Sequence, residues 1–372
     1  MLARESTMRK TLFTDLVDIR VPIIQAPMAG ASDAELAIAV SKAGGLGSLP
    51  CAMLTAAQVR ESWHTMKRAT TGPVNLNFFC HVTPERDSVR ERNWRESLKP
   101  FYAEFGMDVN ATGTFPNRTP FDDAMCEVVE ELKAEVISFH FGLPAKPLLE
   151  RVRRAGAVIL SSATTVAEAR WLEDAGCDAV IAQGFEAGGH RGMFLTTDVA
   201  SQVGTMALAP QLADAVKIPI VASGGIADAR GIVAAFALGA SAVQIGTAYL
   251  RCPECRTTPL HRKSVEAAVE DQTVVTNIFT GRPARGIINR FIRERGPLNA
   301  AAPEFPSATE AVAPLRARAE QAGSADFSPL WCGQAVRLCT NIPAGELTLK
   351  MYEEALQLAG ELPNCLALMR RP

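Results

Sequence analysis

Short apolar runs, most of them rich in β-branched residues, recur along the chain, and each is followed by a turn and then by an Ala- and Leu-rich helical stretch. Eight such runs occur, at Pro22–Ala26, Gly45–Leu49, Val74–Phe78, Glu135–Phe139, Ala157–Ser161, Ala179–Ala182, Pro219–Ala222 and Ala242–Ile245. Several contain few polar residues, as parallel strands that are buried on both faces do. Because eight β/α units close a (β/α)8 barrel, the sequence predicts an α/β fold of the TIM-barrel type.

The helical stretches between these runs have recognisable ends. One spans Asp33–Lys42 with Ser32 as its capping residue, and others run over Thr165–Ala175 and Ala227–Leu238. A doubly wound parallel sheet produces the same repeats and is the alternative fold. The count of eight favours the barrel, as do the polar and Gly residues at the C-terminal ends of different strands, where barrel active sites lie.

Two segments interrupt the repeat. The segment between the third and fourth runs is too long for a plain βα loop, and its aromatic residues predict helices packed over the barrel mouth. The segment after the eighth run carries helical patterns at 312–322 and 346–359. We expect barrel strands one to three in 1–79, a helical insert in 80–131, strands four to eight in 132–250, and a mainly helical C-terminal region beside the barrel in 251–372.

The composition excludes several classes of protein. With 38 Lys and Arg against 40 Asp and Glu, the formal net charge is −2. No electrostatic surface for nucleic acid or an acidic membrane is therefore expected. Hydrophobic residues make up 48% of the 372 residues, enough for a large core, and aromatic residues make up only 6%, unlike an all-β domain.

We expect a cytoplasmic protein without a metal. The first residues contain no apolar run of the signal-peptide type. The longest uncharged run, Gly231–Leu250, has the length of a membrane span, but its polar residues and Gly divide it into a helix and a strand. The nine Cys then are reduced thiols, and the Cys252/Cys255 pair lacks the two further ligands of a zinc site.

Two Gly-containing motifs follow the last two predicted strands. They are ASGGI at 222–226 and QIGTA at 244–248. Gly lets the backbone approach an anion closely, and N–H groups at a helix start point toward it. Since the loops after the seventh and eighth strands of a barrel are its usual phosphate site, the two motifs together predict phosphate binding.

The loop after the sixth predicted strand is the most polar candidate site. It spans 183–192 and contains an amide, a carboxylate, an imidazole and a guanidinium among its Gly residues, so core packing does not explain it; a mobile surface loop is the alternative. Of the five His, His190 in this loop and His140 at the end of the fourth strand both face the barrel mouth. A satisfied core residue is the alternative for His140.

Further features suit a planar ring. A tight turn with Pro27 follows the first strand, and Asn75 and Asn77 share one face of the third. Amides offer both donor and acceptor to ring edges that alternate carbonyl and N–H groups, and Gln183 offers the same. Together with a distal phosphate site, these features suit flavin mononucleotide (FMN).

Several of these motifs occur together in a known family. The chain resembles the class I nitronate monooxygenases, formerly called 2-nitropropane dioxygenases, which are FMN-dependent barrels. The motifs that carry the resemblance are QAPMAG (25–30), GPVNLNFF (72–79), VISFHFGLP (136–144), AQGFEAGGHRG (182–192), ASGGIAD (222–228), QIGTAYL (244–250), NIFTGRPARG (277–286) and WCGQ (331–334).

The resemblance implies roles for individual residues. Those implied to hold the flavin ring and ribityl chain are Ala26, Pro27, Met28, Asn75, Asn77, Gln183 and Gly188. Those implied to bind its phosphate are Gly224, Gly225, Gln244, Ile245, Gly246 and Thr247. In the class I branch His190 is the catalytic residue, and His140 lines the same pocket.

The resemblance also implies a reaction, the oxidation of alkyl nitronates by dioxygen to a carbonyl compound and nitrite through a flavosemiquinone, as in nitroalkane detoxification. Propionate 3-nitronate is an implied substrate, and neutral nitroalkanes are implied to be weak ones. For a nitroalkane, His190 would abstract the α-proton, and a protonated imidazole would attract the nitronate anion. The partners are then a small-molecule nitronate and dioxygen, and the protein is a monomer or homodimer.

Two other functions stay open. Related flavin barrels reduce enoyl-thioesters or quinones with NAD(P)H, and a non-catalytic barrel that binds FMN or a phosphosugar is also compatible. No Rossmann motif with its acidic residue follows a strand, so a dedicated NAD(P) domain is not indicated. The combination of His190 with His140 favours nitronate oxidation.

Overall fold

Eight parallel strands surround a central axis in the computed structural model, which describes residues 10–111 and 118–368. In chain order the barrel strands are β1 (Ile23–Gln25), β2 (Gly47–Pro50), β3 (Val74–Phe79), β4 (Val136–His140), β5 (Val158–Ala163), β6 (Ala179–Gln183), β8 (Ile220–Ser223) and β9 (Ala242–Ile245). A two-residue strand outside the barrel, β7 (Gly189–His190), lies between β6 and β8 in the sequence. Within the sheet the order is β1-β9-β8-β6-β5-β4-β3-β2. A parallel bridge between Ile24 and Leu46 links its two edges, so the barrel is nearly closed and the predicted fold is confirmed.

Helices alternate with the strands and cover the outside of the barrel. Up to the last barrel strand they are α1 (Leu12–Val17), α2 (Ala34–Lys42), α3 (Ala56–Ala69), α4 (Ser88–Ser97), α5 (Lys99–Glu104), α6 (Asp123–Leu132), α7 (Lys146–Arg154), α8 (Val166–Asp174), α9 (Thr205–Ala215) and α10 (Ala229–Ala237). Inward-facing strand residues such as Leu160 and Val221 pack against Phe13 of α1, which closes the N-terminal end of the barrel. The opposite end is thereby left for the functional loops.

The start of α2 differs from the sequence prediction. Asp33, not Ser32, is the capping residue, because its carboxylate accepts a hydrogen bond from the Glu35 N–H at 2.9 Å. Ser32 instead accepts from the Met28 N–H at 3.0 Å and so fixes the turn after β1. A carboxylate and a hydroxyl cap a helix comparably well, and only the tertiary position of the turn decides between two adjacent residues.

The insert between β3 and β4 packs against the C-terminal region. Trp94 of α4 and Phe101 of α5 are buried with Phe291 and Phe327. The Tyr102 hydroxyl donates a hydrogen bond to the Ala311 carbonyl at 2.8 Å. The aromatic residues from which the insert was predicted therefore pack it against the C-terminal region.

The C-terminal region contains a small sheet that the sequence did not predict. The helices and strands of this region are α11 (Pro259–Ala267), β10 (Thr273–Thr276), β11 (Ala284–Ile287), α12 (Arg290–Arg295), α13 (Ala308–Gln321) and α14 (Ala344–Leu368). Strand β11 pairs antiparallel with both β10 and β7, which brings the region onto the loop after β6. Among the described residues, every helix falls short of the length and apolar character that crossing a membrane requires.

Candidate functional site

A cavity of about 520 Å³ opens at the carboxyl ends of the barrel strands. This cavity is lined by all but two of the candidate site residues that were predicted from the sequence. They come from six separate strands or loops. These lining residues are Ala26, Pro27, Met28, Asn77, His140, Gln183, Gly188, His190, Gly224, Gly225, Gln244, Gly246 and Thr247. The fold thus brings the sequence motifs together in one place.

Asn75 and Ile245 lie behind the cavity wall, which differs from the expectation that they touch a cofactor. Asn75 sits one layer deeper in the barrel than Asn77, and its amide donates hydrogen bonds to the hydroxyls of Ser48 and Ser138 at 3.0 and 2.9 Å. Ile245 is 1% exposed and packs into the core, because it alternates with Gln244 along β9. Their side chains therefore support the barrel.

The loop after β8 has the geometry of an anion site. Gly224 and Gly225 both have positive φ, of 118° and 71°, a conformation that L side chains rarely adopt. Without side chains at these two positions, the backbone is open to the cavity and can approach an anion closely. The N-terminus of helix α10, which follows, is capped by the Asp228 carboxylate, which accepts from the N–H groups of Arg230 and Gly231, so contact with an anion would rest on the loop backbone.

The loop after β9 meets the turn after β1. A Cβ placed on Gly246 would lie 3.3 Å from the Ala26 Cβ and 3.6 Å from the Met28 sulfur, so a small residue lets the two segments approach. The side-chain carbonyl oxygen of Gln244 is buried and has no hydrogen-bond partner in the described part of the chain. A buried acceptor without a partner is costly, and this one lines a cavity where a ligand can donate to it.

The loop after β6 is held in place by its own polar side chains. The Gln183 amide donates to the His190 carbonyl at 3.0 Å and accepts from the Gly192 N–H at 2.7 Å. The Glu186 carboxylate accepts from both the N–H and the hydroxyl of Thr205 at 2.8 Å. Gln183 thus fixes the loop instead of presenting a free amide to a ligand.

His190 lies on β7, where its backbone pairs with Ala284 of β11. Its Nε2 forms a hydrogen bond of 3.0 Å with the Thr280 hydroxyl, and its Nδ1 has no partner within residues 10–111 and 118–368. The ring lies among aromatic rings, with centroid distances of 5.4 Å to Phe305 and 5.6 Å to Trp331. One nitrogen is thus anchored by the protein and the other is left for a ligand.

The surroundings of His190 keep its imidazole neutral. Desolvation of the ring is the main cause that lowers its pKa well below 6.5, and the positive charge of Arg118 is the next. The sequence expectation of a protonated imidazole that attracts an anion therefore does not hold near neutral pH. The Thr280 hydroxyl donates to the Arg282 carbonyl at 3.4 Å and therefore accepts from His190 Nε2–H, which leaves the Nδ1 lone pair free to accept a proton.

His140 positions the His190 loop. Its Nε2 lies 3.2 Å from the His190 carbonyl, which can only accept, so Nε2 carries the proton. Its Nδ1, at 3.1 Å from the Ser162 hydroxyl, is then the acceptor. Desolvation lowers the pKa of His140 to about 3, so both hydrogen bonds persist across the physiological pH range.

Sequence reasoning missed four residues at this end of the cavity. Thr280 and Trp331 lie within the quoted motifs NIFTGRPARG and WCGQ, and Phe79 ends GPVNLNFF, so the motifs held the signal although no role was assigned. Arg118 lies in the insert, outside every motif. Its place at the cavity follows only from how the insert packs.

The fold and this cavity place the chain among the β/α-barrel enzymes, which bind their substrates at the carboxyl ends of the barrel strands. The family model described as nitronate monooxygenase matches residues 10–354. The chain therefore belongs to the nitronate monooxygenase family, whose members are in general flavin-dependent enzymes.

Named relatives agree with this membership. A nitronate monooxygenase from Pseudomonas aeruginosa is 40% identical over 345 residues, which cover 92% of this chain and 98% of that protein. One from Paraburkholderia phytofirmans is 38% identical, covering 95% of this chain and 97% of that protein. Among solved structures, a nitroalkane oxidase from Streptomyces ansochromogenes superposes with a TM-score of 0.85 at 37% identity, covering 95% of this chain and 100% of that one.

Proposed function

We propose that this chain oxidises alkyl nitronates with dioxygen to a carbonyl compound and nitrite, with FMN bound in the cavity. The observation that carries the proposal is the position of His190. A neutral imidazole with a free Nδ1 lines the same cavity as the two Gly loops that suit a phosphate. Propionate 3-nitronate belongs to the proposed substrate class.

The cavity residues fit FMN. The backbone at Gly224 and Gly225 would hold the phosphate, with Gly246 and Thr247 beside it. The turn Ala26–Met28 would support the ring, and the buried Gln244 oxygen would gain the donor that it lacks. Within the described residues no group of three or more His, Cys, Asp or Glu has a metal-binding arrangement, so no metal ion enters the proposal.

The chemistry that a bound FMN would supply is one-electron exchange between the nitronate and dioxygen. This chain's residues would bind and orient the substrate and move its proton. For a neutral nitroalkane, the α-carbon proton would pass to His190 Nδ1, while His190 Nε2–H continues to donate its hydrogen bond to the Thr280 hydroxyl. Because desolvation makes His190 a weak base, we expect slow turnover of nitroalkanes and fast turnover of nitronates, which need no base.

The rings around His190 would exclude water from the reacting carbon. Phe79, Phe305 and Trp331 enclose the imidazole. A dry environment strengthens the interaction between an anionic substrate and nearby positive charge. It also disfavours side reactions with water.

The substitution His190→Asn tests this proposal. We expect it to reduce kcat/KM for nitroethane by roughly 100-fold or more and for ethylnitronate much less, since general base catalysis contributes on the order of 10²–10⁴-fold. His64→Asn, on the exposed face of α3, is the matched control. Unchanged nitroethane turnover in His190→Asn would remove His190 as the base.

A reductase is the competing function. It predicts that NADH or NADPH bleaches the flavin without oxygen and that ethylnitronate causes no oxygen uptake. Rapid oxygen uptake with ethylnitronate alone supports the nitronate proposal instead.

A further inference from the structure

Arg118 is the cavity residue whose charge the protein leaves without a counterion. It lines the cavity together with His190 and Thr309. Its guanidinium donates to the Thr309 hydroxyl at 3.3 Å and lies 6.0 Å from the centre of the Phe305 ring. No carboxylate of residues 10–111 or 118–368 forms an ion pair with it.

The other charged side chains of the cavity have partners. Arg316 pairs with Glu320 at 2.8 Å, and Glu320 also accepts from the Ser328 hydroxyl. The Glu186 carboxylate is held by Thr205. Arg118 is therefore the group in this cavity best placed to meet an anionic ligand.

Arg118 and His190 lie next to the same part of the cavity. The positive charge of Arg118 is near enough to contribute to the lowered pKa of His190, and the Phe305 ring contacts both side chains. Since the His190 imidazole is neutral near pH 7, it supplies no charge to attract an anion. A guanidinium keeps its charge in any ordinary pH range and presents parallel N–H groups to two oxygens of a planar anion.

We propose that Arg118 binds the planar nitronate group of the substrate and thereby selects nitronate anions over neutral nitroalkanes with the same carbon skeleton. This inference rests on the proposed function. The nitronate's two oxygens carry its delocalised charge, and a guanidinium in a partly dry pocket pairs with them. A neutral nitro group gains much less from the same contact.

Nitrate binding tests the site without turnover. Nitrate is planar and delocalised like the nitronate group, and its binding to the purified flavin-loaded protein can be followed by isothermal titration calorimetry. We expect Arg118→Gln to weaken nitrate binding by roughly 10- to 100-fold, the typical effect of losing a hydrogen bond to a charged group. Arg118→Lys should weaken it less, and Arg92→Gln, on the exposed face of α4, should leave it unchanged.

The kinetic test separates charge selection from a general loss of activity. In Arg118→Gln, KM for ethylnitronate should rise by roughly 10-fold or more, while KM for nitroethane, which binds as a neutral molecule, changes less than about threefold. The kcat for nitroethane should fall as well, because its deprotonation builds the same anion beside Arg118. Thermal unfolding of each variant shows whether the fold is retained.

Equal nitrate binding in wild type and Arg118→Gln would overturn the inference, as would a wild-type protein that does not bind nitrate. An equal rise in KM for both substrates would also overturn it. If nitrate binds through Arg118 but ethylnitronate causes no oxygen uptake in wild type, the proposed function fails, and the nitronate as ligand fails with it.

Discussion

The hydrogen bond between His190 and Thr280 makes a sharp prediction, because a single side chain sets which imidazole nitrogen is free. The Thr280 hydroxyl lies 3.0 Å from His190 Nε2, and Thr280 is 2% exposed. Thr280→Val keeps the shape of the side chain and removes the hydroxyl. The imidazole then has no partner that holds its proton on Nε2.

The magnitude follows from the burial of the pair. Leaving a buried polar group without its hydrogen bond costs on the order of 1–3 kcal/mol, which corresponds to about 5- to 150-fold in the population of the productive tautomer and orientation. Only the turnover of nitroethane, which needs His190 as a base, should be slowed by this loss. We expect kcat/KM for nitroethane to fall by roughly 10- to 100-fold and that for ethylnitronate by less than about threefold.

The assay is initial-rate oxygen uptake with each substrate, for wild type, Thr280→Val and Thr280→Ser. Thr280→Ser restores a hydroxyl and should recover most of the nitroethane activity. An equal decrease for both substrates would refute the tautomer argument, as would unchanged nitroethane turnover in Thr280→Val.

Three further predictions concern stability. A Cβ on Gly188 would lie 2.5 Å from main-chain atoms of Cys332 and Gly333, so Gly188→Ala should lower the free energy of urea unfolding by about 1–3 kcal/mol and slow oxygen uptake. Gly360 in α14 has open space around it, so Gly360→Ala should raise that free energy by about 0.5–1 kcal/mol with unchanged activity. His81 is 4% exposed, and desolvation lowers its pKa to about 4, so the unfolded state takes up its proton first as the pH falls. His81 should therefore not reduce the free energy of unfolding above pH 6.5, and should reduce it by roughly 2 kcal/mol at pH 5. The His81→Gln variant should not show this decrease.

Each of these has a contradicting outcome. A Gly188→Ala protein as stable as wild type would show that the loop does not pack against Cys332. A Gly360→Ala protein that is less stable would mean that α14 is not helical at that position. Parallel pH profiles for wild type and His81→Gln would show that His81 does not titrate on unfolding.

The barrel strands were predictable because their signal is local. Buried parallel strands require apolar runs such as AVILS at 157–161, whatever their neighbours. Strand β7 carries no such signal. Its two residues, Gly189 and His190, are extended because β11, almost a hundred residues further along, pairs with them, and pairing at that separation is set by tertiary packing.

The site shows the same division. Strand alternation places Asn75 and Asn77 on one face, but not their depth in the barrel, and only Asn77 reaches the cavity. The Gly motifs mark the candidate anion site because Gly is the residue that most readily adopts positive φ, so this conformation of the loop could be predicted from the residue type. Arg118 has no motif, since its position depends on the path of the insert, and the neutral state of His190 depends on rings from distant segments.

The most direct test of the central claim is the reaction of the purified protein with ethylnitronate in air. Oxygen uptake and nitrite release are followed together, without NADH or NADPH, after a visible spectrum is taken. The account predicts a flavin spectrum, rapid oxygen uptake and about one nitrite released per nitronate consumed. A flavin that is bleached by NADH or NADPH, with no oxygen uptake from ethylnitronate, would contradict it.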